Sequence, residues 1–460
     1  MSLSATDRMP QTPAVGRDSR IDPFETALVV IGLVVISSML RSLILANTGD
    51  ADREAGGMVQ QLVLFAIYGG AMGFLIVGGI TRRLGEVLKE SWPLLLLVLL
   101  PLASVLWSDS PATSLRRAVA FMLTVSFAYY VVARFTLSEI VRILFWVLVA
   151  YMAVGLLAAV ALPRIGLSSA GDWRGLTGHK NEFGRVLSLI IAIAVVFRSV
   201  GTRMWRTWWL PMVVVAFGLL VLSNSKTSLV AAVAGIGGSI FLTFLFTGRF
   251  SRFRFAPEVR TVVGVLAFLT VLFLVFIAAP IILEALGRDL TLSGRTRLWQ
   301  WAIGLGSQHP WLGSGYRAFW IDENTKYFFE FFYWGADADG NQNDHYAGPG
   351  NGHNGYLDVW LELGYLGLAV LFIMIGWAVR QIKACLQSGR ELEGKFLALI
   401  LSYLLVYSIT ERVILQHTEL VWFLFMLVLI YSCRACAQDP VVEPVSAPRR
   451  PVLRYPGRST

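Results

Sequence analysis

His353 opens the segment HNGYLDVWLELG, and ten residues separate it from Gly364. An imidazole changes charge near neutrality, so it can take a proton from a hydroxyl. Ten intervening residues make about three helical turns. The histidine then sits at the mouth of a helix whose glycine lets another helix pack close. A capping or loop-ordering histidine would show the same pattern. Arg295, in SGRTRLWQW, carries a guanidinium that stays charged in any setting and pairs bidentately with phosphate oxygens. Arg297 is near enough to share or take that role, and a solvated or interfacial arginine is the competing reading. Lys226 lies in LSNSKTSL, a short turn between two apolar stretches with no acidic neighbour. Its serines, Ser223, Ser225 and Ser228, suit a polar pocket, while snorkelling to headgroups would account for the lysine equally. His179, Lys180 and Arg185 follow WRGLTG and could add to a cationic patch at one membrane depth; Arg116 and Arg117 invite the same reading. Interfacial anchoring competes for each. Glu411 and Arg412 can neutralise each other, unless Glu411 lies close to His353.

Two further patterns point less sharply. The aromatic run YFFEFFYW at 327–334 could stack on sugar rings or rest as an interfacial helix on headgroups. Asp337-x-Asp339-x-Asn341-x-Asn343 has the start of a calcium loop, but Gln342 and Gly348 stand where that loop needs a glycine and a bidentate glutamate. No metal or other cofactor is expected.

These residues are set in an overwhelmingly apolar chain. Of 460 residues 56% are hydrophobic and 15% charged, and the mean hydropathy is +0.63. A soluble domain of this size cannot hide so much apolar surface. A span needs roughly 20 apolar residues, and about twelve stretches qualify: 25–46, 58–80, 92–107, 113–133, 138–162, 182–198, 207–222, 226–246, 260–286, 355–379, 393–411 and 417–436. The expected fold is all-α, a polytopic membrane bundle of about 12 helices with one long external loop. That loop, 287–354, is the only long polar stretch between apolar segments, and Leu298 to Leu305 within it has helical spacing. Helices fill 25–286 and 355–438, and the polar tails 1–24 and 439–460 are expected to be disordered and cytoplasmic. No cleavable signal peptide is evident.

The formal charge of +9 suggests nucleic acid until its placement is considered. Most of the 39 Lys and Arg fall on alternate connections, starting with the N-terminus. The positive-inside rule therefore favours both termini in the cytoplasm and the 287–354 loop outside. The charge is thus explained without nucleic acid. Cys385, Cys433 and Cys436 all fall inside, so no disulfide framework is implied.

In the order WSDSPATSLRRA, WRGLTGHKNEFG, LSNSKTS, SGRTRLWQWA…HPWLGSGYRAF and HNGYLDVWLELGYLG, the segments resemble the O-antigen ligase and polymerase superfamily over about 90–430. The resemblance implies that His353 is the histidine of H-x10-G and Arg295 the arginine of R-x3-L/W, with Trp299 as its fourth residue on. Lys226 falls where the superfamily usually has arginine, which keeps the charge and loses the fork. It further implies a bacterial inner-membrane glycosyltransferase. Glycan would pass from an undecaprenyl-diphosphate carrier to an acceptor glycan on the outer face, without metal and with inversion. Flippase and chain-length-regulator partners would accompany it. WRGLTGHKN looks most like the exopolysaccharide polymerases; a ligase acting on lipid A–core is the alternative. A lipid-linked-sugar transporter would instead show broken spans, buried charges and paired halves.

Overall fold

The computed structural model describes residues 23–37, 63, 65–71, 73–74, 81–168, 171–177, 179–198, 203–247, 259, 295–321, 324 and 350–437. The expected span at 260–286, the aromatic run, the calcium-like segment and both polar tails beyond these limits lie outside the described residues. What is described is helical. In chain order the helices are α1 (Pro23–Ile36), α2 (Thr81–Glu90), α3 (Leu94–Ala103) with a 3₁₀ turn at Ser104–Leu106, α4 (Pro111–Arg134), α5 (Leu137–Ala161) and the single turn α6 (Pro163–Gly166). They continue with α7 (Lys180–Arg198), α8 (Arg203–Leu222), α9 (Lys226–Thr247), α10 (Arg295–Gly306), α11 (Gly355–Gln387), α12 (Glu391–Tyr407) and α13 (Leu420–Ala437).

Local sequence sets the helix starts. Pro111 opens α4, where its missing N–H costs nothing. Thr136 and Glu139 form a reciprocal capping box on α5. Asn354 caps α11 by accepting from the N–H groups of Tyr356 and Leu357. Helix α7 is buried along nearly its whole length, and the side chains of α13 from Leu420 to Ile430 are inaccessible. Helices α4, α5, α9 and α11 pack around these inner elements and leave apolar residues such as Leu157, Val160, Val233 and Phe372 exposed, as lipid-facing surfaces require.

Four of these helices, Pro111–Arg134, Leu137–Ala161, Lys226–Thr247 and Gly355–Gln387, are each long and apolar enough to cross a membrane. A fifth span would join α2 and α3, but these are bent by 88°. The all-α polytopic reading holds, and the expected 92–107 span is helical from Leu94 to Leu106, with its last turn 3₁₀. Trp92 and Pro93 stand at the corner that precedes it. The helix foreseen in the external loop is α10.

Candidate active site

Four helix N-termini meet at one end of the bundle around the loop 408–419 that joins α12 to α13. From α7, the Asn181 amide donates to Glu411 Oε1 at 2.7 Å. From α9, Ser225 Oγ donates to Asn181 Oδ1 at 3.1 Å, and Thr410 and Thr227 share a hydroxyl contact at 3.3 Å. From α10, Arg295 donates to the Thr410 carbonyl at 2.7 Å and approaches Glu411 Oε1 at 3.5 Å. From α11, His353 Nδ1 lies 3.9 Å from Glu411 Oε2. A helix N-terminus favours anions and disfavours cations. Yet α7, α9 and α10 each begin on a basic residue: Lys180, Lys226 and Arg295. These cations oppose three helix dipoles; Lys180 and Arg295 have the carboxylates of Asp172 and Glu411 beside them, so the net positive charge of this collar comes from Lys226.

Glu411 is the carboxylate the collar gathers around. Burial pushes its carboxyl up, but the facing His353, the Arg295 charge and the Asn181 amide outweigh burial and hold it below the usual carboxylate range. It therefore stays ionised beside His353. The imidazole is 44% exposed and occupies left-handed backbone, φ 49°. That conformation costs a non-glycine residue about 1–2 kcal/mol. The turn is held from both sides. Trp299, one helical turn beyond Arg295, donates its indole N–H to the Gly352 carbonyl at 2.7 Å. Buried Asp358 accepts from the Gly352 N–H at 3.0 Å and from the Trp320 indole at 2.8 Å. R-x3-W thus has a structural meaning: one face of α10 presents the guanidinium and braces the histidine's turn. With Nδ1 turned to Glu411, Nε2 remains for a substrate hydroxyl.

Gly364 does something other than let a helix pack close. It interrupts α11 with φ 63° and ψ −162°, and the segment after α10 fills the break. Ser314 and Gly315 donate to the carbonyls of Leu361 and Glu362 at 3.0 and 2.9 Å. Tyr365 and Leu366 donate to those of Pro310 and Trp311 at 2.9 and 3.2 Å. A Cβ on Gly364 would stand 2.2 Å from the Trp311 carbonyl. The break carries α10 against the first turns of α11, so H-x10-G fixes both ends of the segment that presents His353.

The remaining expectations divide. Lys226 is exposed at the first position of α9, between residues that belong to the collar. Arg297 is exposed and, two residues from Arg295 on a helix, faces away from it. Arg185 is corrected: it is buried and paired with Glu419, so it lies behind the collar and not on its open face. Lys180 is ion-paired to Asp172 at 2.8 Å, and that ammonium holds the Asp172 carboxyl below its ordinary range. The ring of His179 accepts from the Asn181 N–H at 3.2 Å, a capping contact on α7. Arg116 is exposed on α4. Glu411 and Arg412 do not neutralise each other, because Arg412 turns the opposite way, to Glu362 and to Asp358 at 3.6 Å. Asn181 was not singled out from the sequence; its place directly after His179-Lys180 was the available signal.

Residues 211–372 match the O-antigen ligase family. The chain is also 26% identical over 359 residues to "Exopolysaccharide production protein ExoQ" of Rhizobium meliloti (strain 1021), covering 76% of this chain and 78% of that protein. The chain resembles the O-antigen ligase and polymerase superfamily. The matched stretch contains Lys226, Arg295, His353 and Gly364, whereas the collar's Asn181 and Glu411 lie outside it. Like ligases and polymerases of this type, the chain is a multi-pass membrane protein, and the likeness points to a membrane enzyme of that kind. A broken helix and buried charges, the marks expected of a transporter, are present at Gly364 and Asp358. Here the chain's own loop fills the break, and Arg412 pairs with both carboxylates, Asp358 and Glu362.

Proposed function

We propose that the protein is a glycosyltransferase that polymerises undecaprenyl-diphosphate-linked oligosaccharide repeats on the outer face of the bacterial inner membrane, with both termini cytoplasmic and the 287–354 loop periplasmic. The observation that carries the reading is the collar: a half-exposed histidine 3.9 Å from an ionised carboxylate, beside an arginine and a lysine at helix N-termini. The acceptor hydroxyl oxygen attacks C1 of the donor sugar, and its proton passes to His353. The C1–O bond to the diphosphate breaks and the electron pair leaves with the phosphate oxygen. Attack opposite the leaving group inverts the anomeric centre. Glu411 stabilises the imidazolium that forms. Arg295 and Lys226, with the helix dipoles, stabilise the diphosphate as its charge develops, a task often given to a divalent cation. Arg297 is a reserve cation at the rim, and Lys180, held by Asp172, borders the collar with His179.

The likeness to an exopolysaccharide production protein favours polymerase over ligase. The test is purified protein with lipid-linked oligosaccharide and EDTA throughout. A ladder of lengthened lipid-linked products supports the reading. Transfer only to added lipid A–core would make the protein a ligase, and loss of activity on EDTA alone would show a metal at work.

A further inference from the structure

On the other side of the 408–419 loop lies a second group of guanidiniums that the chemistry above does not use. Arg412, Arg117 of α4 and Arg317 of the loop after α10 influence one another electrostatically. Among the described residues two carboxylates face them, Asp358 and Glu362, and Arg412 pairs with both. Among the described residues, Arg117 and Arg317 donate to neutral acceptors. Arg117 donates to the Arg317 carbonyl at 2.7 Å, and Arg317 donates to Gln416 Oε1. The Nε of Arg317 is buried with no hydrogen-bond partner. Its backbone is left-handed, φ 63°, a conformation that persists in an arginine only where the surroundings impose it. Burial, followed by the Arg412 charge, pushes the Arg317 guanidinium down to about 9. The adjacent His417 cannot help, since burial and the same arginines hold it down to about 3, neutral. Three cations against two carboxylates leave one positive charge short of a partner in a low-dielectric place, which is costly unless an anion completes it. Arg117 and Arg317 are each intermediate in exposure, and the exposed Arg116 is the chain neighbour of Arg117.

We propose that Arg117 and Arg317, flanked by Arg116, form a second oxyanion site that holds the diphosphate of the acceptor lipid while the Arg295 collar holds that of the donor. A polymerase joins two molecules that each carry a diphosphate in the same leaflet, so it has use for two such sites, whereas a ligase has use for one. The site sits at the same end of the bundle as His353, because residues 410–411 of the loop serve the collar and residues 412–416 serve the arginines. The assignment to an acceptor rests on the polymerase reading; the existence of the site does not.

The test is a binding count, made without turnover on the full chain in nanodiscs with undecaprenyl diphosphate as the probe and native mass spectrometry as the readout. Two equivalents are expected. Arg295→Ala should lose one and keep the other. Arg317→Gln should weaken the second by about tenfold or more, the worth of a charge-assisted hydrogen bond, with Arg317→Lys intermediate. Arg116→Gln repeats the test at the exposed flank without touching the buried group, and a thermal melt excludes misfolding. A single equivalent bound by the wild type, or loss of both in Arg295→Ala, would overturn the second site. Displacement of the second equivalent by phosphatidylglycerol at equal concentration would make the occupant a phospholipid headgroup and overturn the acceptor assignment. Two equivalents together with transfer only to lipid A–core would sink the polymerase reading and leave the site standing.

Discussion

Replacing Gly364 with alanine tests whether the break in α11 builds the site. The residue occupies φ 63°, ψ −162°, a region essentially confined to glycine, and any other residue there costs about 1–3 kcal/mol. The added Cβ would also lie 2.2 Å from the Trp311 carbonyl carbon and oxygen, backbone atoms that cannot swing aside as a side chain could. The segment from Pro310 to Gly315 must then leave the break, forfeiting four backbone hydrogen bonds worth about 1 kcal/mol each. Strain and lost bonds together come to about 5–7 kcal/mol, or about four to five orders of magnitude in the docked population. Gly364→Asn should fare no better. Asparagine tolerates ordinary left-handed backbone, but its Cβ meets the same carbonyl. The assay is product formation at matched protein level, with limited proteolysis between α10 and α11 as the structural readout. Both variants should lose product and become susceptible to cleavage. Wild-type output and protection in Gly364→Ala would refute the account of the break and restore simple close packing of helices.

Other substitutions separate the collar's members. Arg295→Ala should lower activity by about 100-fold, the worth of a charge-assisted bidentate contact, and Arg295→Lys by less. Arg297→Ala, on another face of α10, should stay within about twofold; equal losses at 295 and 297 would mean bulk charge and not a specific contact. Lys226→Arg should be tolerated and Lys226→Ala should lower kcat/KM by about tenfold; a harmless Lys226→Ala would leave that lysine as a snorkelling residue. Glu411→Gln should destabilise the protein by about 1–3 kcal/mol at neutral pH, because Arg295 loses its carboxylate. Since the folded carboxyl is held below its ordinary value, that contribution is fully present above the unfolded value of about 4.3. It disappears as pH falls through the lower folded value, so thermal melts of wild type and Glu411→Gln should converge in acid; a constant gap would show that Glu411 stabilises by packing alone.

The reach of the sequence follows the range of the interactions. Arg295 and Trp299 share a helix, and His353 is fixed by its own capping turn, so local spacing announced them. Arg185 looked equally available because its partner, Glu419, is 234 residues away, and nothing local signals that pairing. The same holds for Arg412, whose partners lie on α11 while its chain neighbour Glu411 faces His353. Gly364 was legible as important and misread in kind. A glycine in an apolar helix suggests close packing, and only the docked Pro310–Gly315 segment, separated in sequence, reveals the break. Hydropathy places the helix of the 92–107 stretch but does not register the 88° corner that joins it to α2. WSDSPATSLRRA gains a reason it lacked as a motif: its Asp109, Ser114 and Arg117 each donate to the backbone of residues 314–317, and Ser104 just before it accepts from the Tyr316 N–H, so together they anchor the chain where the segment that fills the break ends.

The most direct test of the central claim is the single-turnover rate of His353→Gln. The measurement uses purified protein loaded with lipid-linked oligosaccharide, EDTA present, and donor-lipid binding measured in parallel. Glutamine can hydrogen-bond an acceptor hydroxyl but cannot take its proton. The rate should fall by about 10²–10⁴-fold, the worth of a positioned general base, with donor binding and the thermal melt unchanged. Polymer formation at the wild-type rate by His353→Gln would contradict the account and return His353 to the role of a residue that only orders the mouth of α11.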